Sequence, residues 1–237
     1  MSNTWFRFKQ FTVFHHLCAM KVGIDGVLLG IWASVENPQS VLDIGTGTGL
    51  IALMIAQRSN AKIDAIDIDE NAVLQAKENV SNSPWPDRIH VSETSLQNLA
   101  KNPVRLYDLI VSNPPFFINS TKTPTGNRTL ARHTDSLSHE ELIENATLLL
   151  KPTGRICIIL PVNEGLHCIA FAQEKGLYCS KQCSVYPKPQ ASGKRLLLEF
   201  RKQQTEKEVS ELVIETNERH QYSPAFTELA KEFYLKL

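Results

Sequence analysis

The sequence predicts an α/β fold: a mostly parallel sheet with helices on both faces and one antiparallel strand. Three observations carry this expectation. Short apolar runs of strand length alternate with longer stretches of helical periodicity, the pattern of strand–helix–strand units. A glycine-rich turn, Gly45-Thr46-Gly47-Thr48-Gly49, stands between the first such run and the helix behind it. Near the carboxyl end, two strand-like runs are separated only by Pro187 to Gly193, too short for a crossover helix, so that pair is expected to be antiparallel.

The elements follow in order. Ser40-Val41-Leu42-Asp43-Ile44 reads as a buried strand, and Leu50 to Ala56 opens the helix after the glycines. Ile63 to Ile66 is the next strand, closed by Asp67. Asp69 is placed as an N-cap, with Glu70 in the first turn of a helix from Asn71 to Val80. Leu109-Ile110-Val111 is a further buried strand, ended by Asn113-Pro114-Pro115-Phe116, because neither proline has an N–H to give to a ladder. Ser138-x-x-Glu141 is a capping box that opens a helix to Leu150. Pro152 and Gly154 precede a strand from Arg155 to Leu160, and Asn163 to Lys175 is helical with Gly176 as its C-cap. Leu177 to Tyr186 and Arg195 to Phe200 are the antiparallel pair. In the tail, Ser223 is an N-cap, Pro224 takes the first helical position, and Phe226, Leu229, Phe233 and Leu237 form a packing stripe. No internal repeat or second domain is visible. One domain is expected over 1–237, with an amino-terminal segment 1–39, a core 40–202 and a helical tail 203–237.

Two motifs carry chemistry. Glycines between a strand and a helix let a ligand approach the backbone, and the helix N-terminus favours polar groups. The turn lacks the G-x-G-x-x-G spacing of a dinucleotide site, since position 50 is Leu, and no Gly-Lys-Ser/Thr follows. Asp43 before the glycines argues against a phosphate ligand and for one carrying positive charge. Asp67 falls roughly 20 residues past the glycines, where such sheets hold ribose hydroxyls. The second motif is Asn113-Pro114-Pro115-Phe116. Its free carbonyls, the Asn113 side-chain acceptor and the Phe116 ring together suit a planar ring bearing an exocyclic amine. Alone, the tetrapeptide would also pass for a plain strand-ending turn.

Composition sets the bounds. At 237 residues, 42% hydrophobic and 21% charged, the chain is of a length and makeup that support one sizeable globular core. Cys18, Cys157, Cys168, Cys179 and Cys183 form no C-x-x-C pair and lie in apolar stretches, which reads as buried reduced thiols and predicts no metal. Residues 1–11 lack an apolar signal core, and no run approaches the roughly 18 apolar residues of a membrane span. A cytoplasmic protein with no membrane partner is expected. The formal net charge is zero, but its distribution is uneven. Asn119 to Thr134 holds Lys122, Arg128, Arg132 and His133 with no acid. Lys175 to Lys202 holds seven Lys or Arg, including Lys188, Lys194 and Arg195, against Glu199 alone. A solvated face is one reading of such runs. The other is contact with phosphates, favoured for the first run because it directly follows the Asn-Pro-Pro-Phe motif and is polar, Thr-rich and broken by Pro124 and Gly126.

The order strand, glycine turn, helix, strand-ending acid, helix, strand with Asn-Pro-Pro-Phe resembles the class I S-adenosylmethionine-dependent methyltransferases, over roughly Val41 to Arg201. The resemblance implies a Rossmann-like, mostly parallel seven-stranded sheet with one antiparallel strand, and S-adenosyl-L-methionine as cofactor. Gly45, Gly47 and Gly49 would line the methionine moiety, with Asp43 near its ammonium. Asp67 would hold the ribose, Ile68 and Leu96 would flank the adenine, and Ser95 would lie near its edge. The Asn-Pro-Pro-aromatic element marks members that methylate planar amino groups, with Asn113, Pro114, Pro115 and Phe116 as the catalytic set.

The two ends narrow the resemblance. Phe8-Lys9-Gln10-Phe11 with Cys18 to Gly30, and Tyr222 to Phe226 with Phe233-Tyr234-Leu235, resemble the tRNA adenine-N6 methyltransferases acting beside the anticodon of a valine tRNA. His16 and Ile24 stand where that family usually has Asp and Thr. Lys21 and Asp25, charged among core-like neighbours with Gly23 and Gly26 between them, suggest that residues 1–39 form a lid over the cofactor. Lys122, Arg128, Arg132, Lys188, Lys194 and Arg195 would contact a valine tRNA. The motif is also compatible with an RNA guanine-N2 methyltransferase and with a protein glutamine methyltransferase. The latter carry an N-terminal helical domain, and only about 40 residues precede the first core strand here. The intact glycines, Asp67 and Asn113 argue against a non-enzymatic RNA-binding factor.

Overall fold

The computed structural model describes residues 3–18, 21–115, 137–218 and 221–237. A hairpin, β1 (Trp5–Arg7) and β2 (Thr12–Phe14), opens the chain, followed by α1 (Ile24–Trp32). The core then alternates through β3 (Ser40–Ile44), α2 (Leu50–Arg58), β4 (Lys62–Asp67), α3 (Glu70–Ser81), β5 (Ile89–Glu93), α4 (Leu96–Lys101) and β6 (Tyr107–Ser112). Next come α5 (His139–Leu149), β7 (Leu150–Pro161), α6 (Val162–Glu174), β8 (Tyr178–Tyr186), β9 (Arg195–Arg201), β10 (Glu208–Val213) and α7 (Pro224–Ala230).

The main sheet runs β10-β8-β9-β7-β6-β3-β4-β5, and only β9 is antiparallel to its neighbours. Both faces of its central strands are buried, so these strands read as continuous apolar runs. Side chains of one strand alternate between two cores. Val41, Leu109, Val111, Cys157 and Ile159 join the core under α1, α2 and α3, whereas Leu42, Ile44, Ile110, Ile156 and Ile158 join the core under α4, α5 and α6. That is the two-faced architecture the alternation predicted.

The chain lays down β3, β4 and β5 outward on one side, then returns to place β6 on the other side of β3. The order therefore reverses between β3 and β6, and a crevice opens beyond their carboxyl ends. The glycine turn follows β3, and Asn113-Pro114-Pro115 follows β6. The topology brings both motifs to this one place.

Two expectations about the ends need correction. The segment 203–237 is not a helical tail throughout: β10 pairs in parallel with β8, Val213 opposite Tyr186, and adds an eighth strand to the seven expected. Only Leu212 of β10 is buried, and its exposed Glu208 and Glu211 suit a sheet edge, where charge discourages further pairing. The stripe on α7 is also narrower than predicted. Phe226 and Phe233 are buried, but Leu229 and Leu237 are 40% and 43% exposed. The two chain ends meet instead. The Lys9 N–H donates to the Phe233 carbonyl at 2.8 Å, and the Tyr234 ring packs edge-on against Phe6 and Phe8 at centroid distances of 5.8 and 5.9 Å.

Candidate active site

A cavity of about 650 Å³ lies at the crevice between β3 and β6, within the size range of small-molecule sites. Gly45 and Gly47 line it. Both have positive φ, +66° and +56°, and a Cβ on either would project into open space with nothing within 4 Å. These positions thus favour glycine on conformational grounds and leave the cavity wall bare backbone. Gly49 does not line the cavity. It caps α2 at φ +80°, and its Cα faces the α3 residue Ala76, 3.5 Å from where its Cβ would be.

Two carboxylates flank the turn and differ sharply. Asp67, at the end of β4, lines the cavity and accepts the Gly47 N–H at 2.8 Å on Oδ2 and the Asp69 N–H at 3.1 Å on Oδ1. These bonds fix the turn against β4 while leaving lone pairs for a ligand hydroxyl. Asp43 is fully buried behind the turn. Its Oδ2 accepts Thr46 Oγ1 at 2.6 Å and the Ala52 N–H at 3.2 Å, but Oδ1 has no partner. Burial, partly offset by the Thr46 and Ala52 bonds, pushes the carboxyl up to about 7.

Ile68, Ser95 and Leu96 form the next wall. Ser95 caps α4 through the Asn98 N–H at 3.1 Å, Leu96 is buried, and Ile68 is 55% exposed. On the opposite side, Ser112, Asn113, Pro114 and Pro115 line the cavity. Ser112 Oγ donates to the Ile44 carbonyl at 3.0 Å, tying the ends of β6 and β3 together. Asn113 Oδ1 is buried without a donor. An unsatisfied buried acceptor is costly and rare, so this atom fits a ligand N–H.

Several cavity residues were not anticipated: Cys18, Thr94, Gln97, Leu137 and Glu141. Cys18 is half-buried on the cavity wall and not in the core as expected; desolvation and the nearby Asp67 and Asp69 push its thiol up to about 11. Nothing local in the sequence distinguishes it. Glu141 was visible, but only as half of the capping box, which is present. His139 was also missed. It is buried, and the Pro115 carbonyl lies close enough to its ring to favour the protonated form, against the larger effect of burial. Its Nε2 is without a partner, and burial holds its pKa below the ordinary value. The signal was its place at the start of the helix that follows the proline motif.

The methyltransferase small-domain family matches residues 27–174. A tRNA1(Val) (adenine(37)-N6)-methyltransferase from Parabacteroides distasonis is 52% identical over 237 residues, covering 100% of both chains. One of the same name from Trichodesmium erythraeum is 46% identical over 239 residues, again covering 100% of both. The chain belongs to the tRNA1(Val) (adenine(37)-N6)-methyltransferase family. Solved structures agree on the fold of this family member. A predicted O-methyltransferase from Agrobacterium tumefaciens matches with TM-score 0.69 at 16% identity, over 88% of this chain and 96% of its own. A ribosomal protein L11 methylase from Lactobacillus delbrueckii matches with TM-score 0.55 at 20% identity, over 80% and 82%.

The remaining family positions fall into two groups. Phe116, Lys122, Arg128 and Arg132 lie outside the described residues. Lys21 and Asp25 do not line the cavity; Asp25 pairs with Arg195 Nε at 3.0 Å, joining the start of α1 to the start of β9. Lys188 lies 3.7 Å from Glu215, and Lys194 is exposed. Because Arg195 is opposite Pro161 in the register, Lys188, Lys194 and Arg195 all sit at the carboxyl edge of the sheet, the edge that carries the cavity. Among the described residues no group of His, Cys, Asp and Glu could hold a metal, and no helix is long and apolar enough to cross a membrane.

Proposed function

We propose that this protein transfers a methyl group from S-adenosylmethionine to the exocyclic N6 amine of the adenine beside the anticodon of a valine tRNA. The observation that carries the reading is the donorless, buried Asn113 Oδ1 on the same cavity as Asp67 and the bare glycine turn. The full-length relatives named for this reaction support it.

The residues present fit the cofactor. Gly45 and Gly47 offer bare backbone, Asp67 would hold ribose hydroxyls, and Ile68 and Leu96 would flank the adenine with Ser95 at its edge. The partnerless Asp43 Oδ1 suits the methionine ammonium, directly or through water. When bound, S-adenosylmethionine supplies an electrophilic methyl on a sulfonium.

The chain's part in the reaction is positional. An adenine amine is a poor nucleophile because its lone pair is delocalised into the ring. Asn113 Oδ1 and the Pro114 carbonyl each accept one N–H, which turns the lone pair out of the ring plane. Phe116 would stack on the base and fix that plane. The two acceptors hold the nitrogen for in-line displacement, where orientation supplies most of the acceleration. Asn113 need not act as a base, because the alkylated amine gives up its proton readily to water. A loop adenine is already unpaired, so extruding it into the cavity costs little. Lys188, Lys194 and Arg195 at the sheet edge, with Lys122, Arg128 and Arg132, would hold the phosphates.

The test is direct. The protein is incubated with labelled S-adenosylmethionine and unmodified cellular RNA, the RNA is digested and the labelled nucleoside is identified. N6-methyladenosine from valine tRNA is expected. Labelled methylguanosine, or label found only in protein glutamine, would overturn the assignment.

A further inference from the structure

We infer that Asn79 and Gln75 are positioning residues that couple docking of the amino-terminal segment to occupancy of the cofactor cavity. The inference rests on the cofactor reading above and concerns how that site is completed.

α3 forms one wall of the cavity through Asp69 and Ala72 at its start. One and two turns further along, its inner face carries two amides, Gln75 and Asn79, both with zero exposure. Buried amides in a helix are rare unless every polar atom is satisfied. Asn79 is saturated. Its Oδ1 accepts the Phe14 N–H, and its Nδ2 donates to the carbonyls of Phe14 and Thr48, each bond at 2.8 Å. Only one orientation of the amide meets one donor and two acceptors. Thr48 lies inside the glycine turn, and Phe14 ends β2. One side chain therefore ties the cofactor turn to the amino-terminal hairpin. Gln75 repeats the device one helical turn away, accepting the Leu17 N–H at 3.0 Å. The next residue, Cys18, is on the cavity wall.

The consequence is a linkage. The two amides hold Phe14 and Leu17, and so the stretch that ends in Cys18 at the cavity wall, and the same Asn79 amide holds the turn on which the ligand would rest. A ligand that touches the turn and the Cys18 wall favours the docked segment, and by reciprocity the docked segment favours the ligand.

The test is hydrogen–deuterium exchange of the full chain with and without saturating S-adenosylhomocysteine, followed at the amides of Phe14 and Leu17. In the parent, the ligand is expected to slow exchange in the peptide spanning them by roughly tenfold or more. Asn79→Leu should lose this ligand-dependent protection and bind S-adenosylhomocysteine about tenfold more weakly by calorimetry. Gln75→Met, which removes one bond to the segment together with the bond from Gln75 Nε2 to Glu78 Oε2 at 2.7 Å, should show the same loss in smaller measure and serves if Asn79→Leu does not fold. A merely structural amide would lower the melting temperature of either variant while leaving its ligand-dependent protection and its affinity for S-adenosylhomocysteine as in the parent. Parent protein that binds the ligand with no added protection at Phe14 and Leu17 overturns the inference, as does an Asn79→Leu protein with the parent's affinity. A parent that binds no S-adenosylhomocysteine at all overturns the cofactor reading together with it.

Discussion

The buried Asp43 carboxyl is expected to make cofactor binding pH-dependent, with a sign that can be worked out. Its carboxyl is fully buried, and burial raises it from 3.8 to about 7. If the ligand's ammonium requires the ionised form, affinity follows the ionised fraction of Asp43. That fraction is about one tenth at pH 6 and about nine tenths at pH 8, so the dissociation constant should fall about tenfold over this interval and then level off. For the free protein the sign is opposite. A carboxyl raised in the folded state keeps its proton where the unfolded chain has lost it. No penalty exists below about pH 4; it grows up to about pH 7 and is constant above, reaching at most roughly 4 kcal/mol. Asp43→Asn keeps an oxygen for the Thr46 hydroxyl and the Ala52 N–H while removing the charge. It should raise the melting temperature of the free protein at pH 8 yet bind S-adenosylmethionine at least tenfold more weakly there. Calorimetric titration from pH 5.5 to 8.5, with melting curves at the same pH values, measures both. A dissociation constant flat from pH 6 to 8, or an Asp43→Asn protein that binds like the parent at pH 8, would refute the reasoning.

Three further outcomes are expected. Asn113→Ala should lower kcat by a factor of about 10² to 10³ while calorimetry finds the cofactor affinity unchanged, because the lost acceptor acts on the amine and not on the cofactor. His139→Phe keeps a buried ring but loses the polar nitrogens beside the Pro115 carbonyl; single-turnover methylation should slow about tenfold, with His139→Asn recovering part of it and neither variant altering cofactor binding. Lys188→Ala with Lys194→Ala should weaken tRNA binding and reduce the slope of log affinity against log salt by about two units, measured by filter binding at several salt concentrations.

Much of the fold was legible because its signals are local. Strand β3 was read with the boundaries it has, Ser40–Ile44, since buried parallel strands are uninterrupted apolar runs. The caps at Asp69, Ser138 and Ser223 depend only on a side chain and an N–H two or three residues on, and all three are present. The short linker Pro187 to Gly193 settled the antiparallel pairing of β8 and β9 on length alone. β10 was illegible because its only credential is its partner. Five of its six residues are not buried, and pairing with β8 outweighs a charge pattern that suits a helix equally well.

The candidate site divides along the same line. The sequence by itself determined the bare turn of Gly45 and Gly47, the acid at Asp67 and the prolines after Asn113, because each chemistry is written in consecutive residues. Only the tertiary structure decided that these meet across β3 and β6, since that depends on the sheet order reversing there. It also decided that Asp43 lies behind the turn with one free oxygen, and that Asp25 pairs with Arg195, 170 residues away, outside the cavity lining. Cys18, His139 and Asn79 owe their places to contacts with distant segments. A side chain whose role is set by a partner tens of residues off leaves no periodicity or spacing to read.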